Sequence, residues 1–113
     1  METIFDKIIS KEIPADIVFE DEEVIAFKDI NPQAPTHILI IPKKRIATIN
    51  DIEENDISIT GKLIYTAKTI ASEIGISEDG YRLVFNCNDN GGQEVYHIHL
   101  HLLGGRKMTW PPG

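Results

Sequence analysis

The chain has 113 residues, of which 18 are acidic and 11 are lysine or arginine, so its formal net charge is −7. This length suits one domain around one hydrophobic core, and a hydrophobic content of 42% is typical of a globular protein. Because an acidic chain repels the phosphate backbone, we expect no nucleic-acid partner. The single cysteine, Cys87, excludes an intrachain disulfide and a cysteine-based zinc finger, and it favours a reducing, cytoplasmic location.

No repeat, low-complexity tract or linker divides the sequence, which predicts a single domain over residues 1–113. The N-terminus carries Glu2 and Asp6 where a secretory signal would be basic. The longest aliphatic run, residues 38–41, is far shorter than the roughly 20 residues of a membrane-spanning helix. We therefore expect no targeting segment and no membrane partner.

The first third of the chain predicts a short helix followed by a hairpin. Thr3 can cap a first helix of about two turns, which Pro14 prevents from extending past Ile13. Two short apolar runs follow at residues 17–19 and 24–27, and the acidic stretch between them indicates a turn. These two runs are expected to be the first two strands.

The middle of the chain predicts a third strand and a long helix. Residues 31–35 contain two prolines and must form a loop, after which residues 37–41 read as a strand. Positions 57, 60, 64, 67, 71 and 74 are spaced alternately by three and four residues, which predicts a helix over about 54–74 with these positions on one stripe. Gly75 is well placed to end that helix.

The last third predicts two further strands. Residues 81–85 alternate as a strand, residues 86–92 are rich in Asn, Asp and Gly and predict a turn, and residues 97–103 read as the final strand. The order of helix, three strands, long helix and two strands indicates an α+β domain with a mainly antiparallel, five-stranded sheet.

Three of the four histidines alternate with aliphatic residues in the final predicted strand. On a strand, His97, His99 and His101 share one face, while the residues between them bury the other. One interpretation is a zinc site, because His97 and His99 are about 6.6 Å apart along a strand. His101 lies about 13 Å from His97, so one ion would need an outside ligand such as His37 or Asp29.

The second interpretation is covalent catalysis, in which the central imidazole attacks an electrophile and its neighbours orient it and protonate a leaving group. The preceding loop, residues 86–93, contains Gly91 and Gly92, whose backbone N–H groups can approach an anion. A glycine pair beside a histidine row favours a phosphoryl electrophile over a bare metal ion.

At this point the residues resemble a known family. Residues 93–103, with three histidines alternating with apolar residues, are similar to the signature of the histidine triad (HIT) superfamily. Residues 27–37 and 104–113 are similar to its Hint branch, so that the resemblance covers essentially the whole chain. It implies a HIT-like fold and a homodimeric purine nucleoside phosphoramidase, which hydrolyses P–N bonds of compounds such as adenosine 5′-phosphoramidate or lysyl-AMP. The family uses a nucleotidyl-histidine intermediate and neither a metal nor another cofactor.

The resemblance also implies roles for the histidines. His99 matches the nucleophile, His97 and His101 match the flanking pair, and His37 matches a fourth histidine that supports His101 from behind. Glu94 stands where animal members of the branch commonly carry serine. It can protonate the departing amine or only shape the loop, in which case His97 or His101 supplies the proton.

A nucleotide pocket is implied by the same resemblance. Asp29 matches the carboxylate that binds the ribose hydroxyls. The apolar walls around the base match Ile4, Phe5, Phe27 and Ile30. The contacts to the phosphate and leaving group match Asn86, Gly92, Gln93 and Val95, together with His99.

Two other functions remain open. A dinucleoside polyphosphate hydrolase of the Fhit-like branch would use the same histidines, but Gly104–Arg106 and the Trp-Pro-Pro-Gly end argue against it. A non-catalytic nucleotide-binding scaffold is disfavoured by the four histidines, because binding alone does not require a nucleophile.

Overall fold

The computed structural model describes residues 1–113 and contains one antiparallel sheet of five strands in the order β1-β2-β3-β5-β4. The strands are β1 (Ile17–Glu20), β2 (Val24–Lys28), β3 (Thr36–Pro42), β4 (Tyr81–Phe85) and β5 (Leu100–Gly104). A short helix precedes the sheet and a long helix lies between β3 and β4. This architecture confirms the expected α+β class and the mainly antiparallel sheet.

The first helix, α1 (Ile4–Ile9), is capped as expected from the sequence. The Thr3 hydroxyl accepts a hydrogen bond from the Phe5 N–H at 3.1 Å, and Asp6 accepts one from the Thr3 N–H at 2.6 Å. The helix ends four residues before Ile13, because Lys11 adopts a left-handed conformation with φ of 67° that a helix cannot continue through.

The long helix, α2 (Ile57–Glu73), follows two short 3₁₀ turns, Ile49–Asp51 and Glu54–Asp56, so it starts three residues later than expected. The predicted stripe is not a single buried face. Ala67 and Ala71 lie in the core, but Ile57 and Ile64 are 65% and 47% exposed. The face that packs on the sheet is rotated from the stripe, and its members are Leu63, Thr66, Ala67, Ile70 and Ala71. Spacing alone could not show which of two adjoining apolar stripes meets the sheet.

The two faces of the sheet are covered unequally. One face and α2 enclose a core of 12 buried apolar residues. The other face is covered by α1 only over β2 and β3, where the buried residues are Phe5, Ile8, Ile25, Phe27, Leu39 and Ile41. The part of this second face that belongs to β5 and β4 carries both polar and apolar side chains, among them Arg82, Val84, His101 and Leu103. None of the helices combines the length and apolar character that crossing a membrane would require.

The final strand is shorter than predicted, because β5 begins at Leu100 and not at His97. Residues 97–99 run toward it as an irregular segment, held by a 2.8 Å hydrogen bond from the Ile98 N–H to the Ile46 carbonyl. The alternation persists nevertheless, since Ile98, Leu100 and Leu102 are all buried on the α2 side. The predicted turn over residues 86–92 contains a single helical turn, α3 (Asn88–Gly91).

Candidate active site

The four histidines meet on the second face of the sheet. His37 lies on β3 and His101 on β5, with ring centroids 5.2 Å apart. His99 follows at 5.0 Å from His101, and the edge of the Phe5 ring lies against His99 at 5.1 Å. His97 is fully buried and His99 is 8% exposed. The folded chain therefore assembles every histidine of the sequence into one cluster.

The hydrogen bond made by His99 defines its proton position. Its Nδ1 lies 2.7 Å from the main-chain carbonyl oxygen of His97, which can only accept, so Nδ1 carries the proton. The opposite nitrogen, Nε2, then carries the lone pair in the neutral ring. Burial lowers the pKa of His99, which keeps the ring neutral near pH 7. An unprotonated Nε2 is what nucleophilic attack requires.

A chain of hydrogen bonds also fixes the proton positions of His37 and His101. The Gln33 N–H donates to Nδ1 of His37 at 3.0 Å, so the His37 proton lies on Nε2. That Nε2–H faces Nδ1 of His101 at 2.9 Å and Oδ2 of Asp29 at 3.5 Å. The proton of a neutral His101 consequently lies on Nε2, which is buried and has no hydrogen-bond partner in the protein.

The charge of His101 follows from its surroundings. Burial, and then the neighbouring rings of His99 and His37, lower the pKa of His101 to about 4. Burial also lowers the pKa of His37, although Asp29 opposes that shift. The cluster is therefore neutral near pH 7, and His101 directs a fixed N–H donor away from His37.

His97 has a different position in the cluster. Its Nε2–H donates to the Pro42 carbonyl at 2.7 Å, which ties residues 97–99 to the end of β3. Its Nδ1 is buried without a partner, and burial lowers the pKa of the ring. The group that His97 presents to His99 is its main-chain carbonyl and not its imidazole.

The predicted base and ribose residues lie beside the cluster. The rings of Phe5 and Phe27 are buried and meet edge to face at 5.5 Å. Ile4 and Ile30 are 49% and 96% exposed, so neither is enclosed as Phe5 and Phe27 are. Oδ1 of Asp29 accepts the Asn31 N–H at 2.8 Å, while Oδ2 is directed toward His37.

The loop before the histidines is held mainly by Gln93. Its Oε1 accepts the Asn88 N–H at 2.9 Å, and its Nε2 donates to the carbonyls of Ala47 and Val95 at 2.8 and 3.1 Å. These bonds engage the Gln93 amide in shaping the loop. Gly92 has a φ of 77°, a conformation that favours glycine.

The other loop residues differ in exposure. Asn86 and Val95 are half-buried, whereas Glu94 is exposed and makes no side-chain hydrogen bond. Glu94 is nevertheless near enough to add to the charges that act on His99. The structure thus places Glu94 at the margin of the cluster and not among its buried members.

Asp29, His37 and His101 are a potential metal-binding group, because one ligand atom of each lies within 4.8 Å of the others. The nitrogens of His37 and His101 that face each other are joined through a proton, so an ion would have to displace it. His97 and His99 do not belong to this group. The structure therefore does not assemble three possible ligands around the pair His97 and His99, as a shared zinc would require.

Sequence reasoning missed two arginines near the cluster. Arg82 lies on β4 two residues from Val84, which is paired with His101 across the strands. Since side chains two residues apart share a face, Arg82 lies on the histidine face. Arg106 joins it from the segment after β5. Residues 82, 84 and 86 are spaced by two, and this spacing could have predicted that Arg82 lies on the histidine face.

Comparisons with known proteins agree with this geometry. A family model described as the HIT domain matches residues 10–108. The purine nucleoside phosphoramidase of Escherichia coli (strain K12) is 60% identical over 107 residues, which are 95% of this chain and 90% of that protein. A 14 kDa zinc-binding protein of Zea mays is 61% identical, over 98% of this chain and 88% of its own length. The crystal structure of a HIT family hydrolase from Legionella pneumophila Philadelphia 1 superposes with a TM-score of 0.97, and its sequence is 62% identical. The match covers 99% of this chain and 100% of that chain.

Proposed function

This chain belongs to the HIT domain family, and we propose on that premise that it hydrolyses the P–N bond of purine nucleoside 5′-phosphoramidates such as adenosine 5′-phosphoramidate or lysyl-AMP. The observation that carries the proposal is a buried, neutral His99 whose Nδ1–H is held by a carbonyl. Its Nε2 lone pair is thereby available to attack phosphorus. The name of the relative from Escherichia coli supports the same reaction.

The reaction proceeds in two displacements. Nε2 of His99 attacks phosphorus, the P–N bond to the amine breaks, and the amine leaves with the electron pair and takes up one proton. Nε2–H of His101 donates to a phosphoryl oxygen and stabilises its charge. Water then attacks the nucleotidyl-histidine, which releases the nucleoside monophosphate and returns His99 to its starting form. Glu94, His97 and His101 are the candidates for the proton that the amine receives.

The nucleotide is held on the α1 side of the cluster. Phe5 and Phe27 contact the purine base, with Ile4 and Ile30 closing over its edges. Oδ2 of Asp29 accepts from the ribose hydroxyls. The phosphate is contacted by the amide of Asn86 and the main-chain N–H of Val95, in the loop whose shape Gly92 and Gln93 maintain.

The reaction does not require a metal ion. The relative from Zea mays is named a zinc-binding protein, and the group in this chain that zinc would use is Asp29, His37 and His101. In the proposed reaction Asp29 binds ribose, and His37 donates to Nδ1 of His101 and so keeps the His101 proton on Nε2; zinc would block both tasks. We expect full activity after prolonged EDTA treatment and well under one zinc per chain by elemental analysis. Loss of activity on removal of a stoichiometric zinc would contradict this.

The active form is a homodimer in the cytoplasm. β4 is an edge strand with unpaired main-chain groups, and α2 exposes Ile57, Ile64 and Tyr65. Pairing two copies through these surfaces removes an exposed edge and an apolar patch. Sedimentation at micromolar concentration should give twice the chain mass of 12.7 kDa, and Ile64→Asp should shift the equilibrium to monomer. A wild-type chain that sediments only at 12.7 kDa would contradict the dimer.

Comparison of three reactions tests the proposed function. Adenosine 5′-phosphoramidate, a diadenosine polyphosphate and a no-substrate control are incubated with the enzyme, and release of AMP is followed. We expect rapid turnover of the phosphoramidate alone, with a covalent, acid-labile nucleotidyl-enzyme on rapid quenching. Preferred cleavage of the diadenosine compound would favour the polyphosphate hydrolase, and AMP binding without any turnover would favour a scaffold.

A further inference from the structure

A cavity of about 360 Å³ opens beside His101, on the part of the sheet face that α1 does not cover. Val84 of β4 and Leu103 of β5 lie among its lining residues, and the C-terminal segment contributes residues 108–112. None of the residues proposed for the base and ribose lines it. Asn86 and His101, which contact the phosphate in the proposed reaction, do line it, so a group bonded to that phosphate can extend into the cavity.

The cavity is lined by two guanidinium groups and by no carboxylate. Arg82 and Arg106 both contribute to its wall. Arg82 donates to the Thr109 carbonyl at 2.9 Å, and Arg106 donates to the Gln33 carbonyl at 3.0 Å. Each guanidinium has five N–H donors, so most of them remain free after these bonds.

Neither arginine takes part in an ion pair. Six of the 11 lysines and arginines do pair with Asp or Glu. They are Lys11, Lys28, Lys43, Lys44, Arg45 and Lys62. No carboxylate lies within ion-pair distance of Arg82 or Arg106, although Asp79 lines a neighbouring cavity together with both. The two positive charges stay available to an anion from outside the chain.

We propose that this cavity is the leaving-group subsite, and that Arg82 and Arg106 select leaving groups that carry an oxyanion such as a carboxylate, sulfate or phosphate. This inference rests on the proposed hydrolase function. The arginines act as specificity-determining residues, because they contact the departing group and not the reacting phosphorus. Their contribution is a set of charge-assisted hydrogen bonds, which are partly screened at this solvent-accessible site.

Two matched substrates test the subsite. Adenosine 5′-phosphoramidates made with β-alanine and with β-alaninamide have the same length and differ in a carboxylate against a neutral amide. The quantity measured is the ratio of kcat/KM for the acid over the amide. Arg82→Gln and Arg106→Gln should each lower that ratio by about five- to tenfold while changing turnover of the amide little. Rising salt should lower the ratio in the wild type but hardly in the variants.

Two further variants separate charge from structure. Lys107→Gln removes a positive charge that also lacks an ion pair and lies outside this cavity, and it should leave the ratio unchanged. Arg82→Lys keeps the charge but loses the planar donor group, and it should retain part of the preference. An unchanged ratio in both glutamine variants, or an equal fall in the Lys107 variant, would overturn the subsite.

Failure of the proposed hydrolase function would give a separate result. In that case the wild type would cleave neither compound, and the subsite is judged from the ratio of the two dissociation constants, measured calorimetrically with the intact compounds. Tighter binding of the acid that is lost in both glutamine variants supports the subsite. Equal binding of acid and amide overturns it.

Discussion

The two faces of the sheet are built for different tasks. The face under α2 encloses 12 buried apolar residues, whereas the histidine face has six and leaves the surface of β5 and β4 open. The buried side-chain atoms without a hydrogen-bond partner, Nδ1 of His97 and Nε2 of His101, both belong to the histidine cluster. An unpaired buried polar group costs about 1–3 kcal/mol. The face under α2 thus supplies stability that the histidine face gives up by leaving these two ring nitrogens unpaired.

The largest expected effect separates chemistry from binding on the histidine face. His99→Ala should lower kcat by about 10⁴-fold or more, because no other imidazole presents an unprotonated Nε2 to the nucleotide. AMP should still bind within about threefold of the wild-type Kd, since Phe5, Phe27 and Asp29 hold the base and ribose. Stopped assays with the phosphoramidate and calorimetry with AMP measure the two quantities. A variant that turns over at the wild-type rate would remove His99 as the nucleophile.

The next largest effect belongs to the α2 face. Leu63 is fully buried between α2 and the sheet, so Leu63→Ala should lower the free energy of unfolding by about 2–5 kcal/mol. Turnover per folded molecule should hardly change. Ser72→Ala on the exposed side of α2 is the matched control and should stay within about 0.5 kcal/mol. Urea unfolding at one protein concentration gives both free energies. If the Leu63 variant lost kcat under conditions in which it is fully folded, the packing of the α2 face would have to affect catalysis on the histidine face.

Glu94 tests how far the reactive face extends beyond the buried cluster. If its carboxyl group protonates the departing amine, Glu94→Gln should slow the phosphoramidate by about 10²-fold and leave a nitrophenolate ester nearly unaffected. A nitrophenolate needs no proton to depart, which makes it the internal control. Equal slowing of both substrates would limit Glu94 to a structural role in the loop and leave His97 or His101 as the donor.

The smallest expected effect is a gradual change of stability and of kcat/KM with pH. Burial lowers the pKa of each of the four histidines, to about 4 for His101. An unfolded chain, with histidine pKa values of about 6.5, binds more protons below that pH than the folded chain does. The free energy of unfolding should therefore decrease as pH falls from about 6.5 toward 4, and kcat/KM should decrease with it as His99 becomes protonated.

A carboxylate provides the control for that titration. Lys62 lowers the pKa of Asp21 to about 2 through a hydrogen bond. Asp21→Asn should remove only stability that is lost below about pH 4, and leave the histidine-dependent slope above it intact. Urea titrations from pH 7.5 to 3 measure both slopes. A flat stability curve between pH 6.5 and 4 would mean that the histidines are not buried in their neutral form.

The sequence was sufficient to predict the order of the elements, because proline, glycine and the two hydrophobic periods mark most of their boundaries. The alternation of His97, His99 and His101 with buried apolar residues could also be predicted from the sequence, although β5 begins only at Leu100. The buried face of α2 could not, since Ile57 and Ile64 are as apolar as Leu63. The proton positions of the histidine rings could not be predicted either. They depend on main-chain groups such as the Gln33 N–H, and the sequence does not show where the folded main chain places those groups.

The bond between His99 and the carbonyl of residue 97 limits what mutagenesis can show. Every residue that replaces His97 keeps a carbonyl, so the acceptor that holds the nucleophile's proton is not removed by any side-chain substitution. What a replacement does remove is the anchor to Pro42, and it acts by letting the segment shift. If substitutions at position 97 left activity intact in a mutational scan, catalysis could therefore still depend on the main-chain carbonyl of that residue.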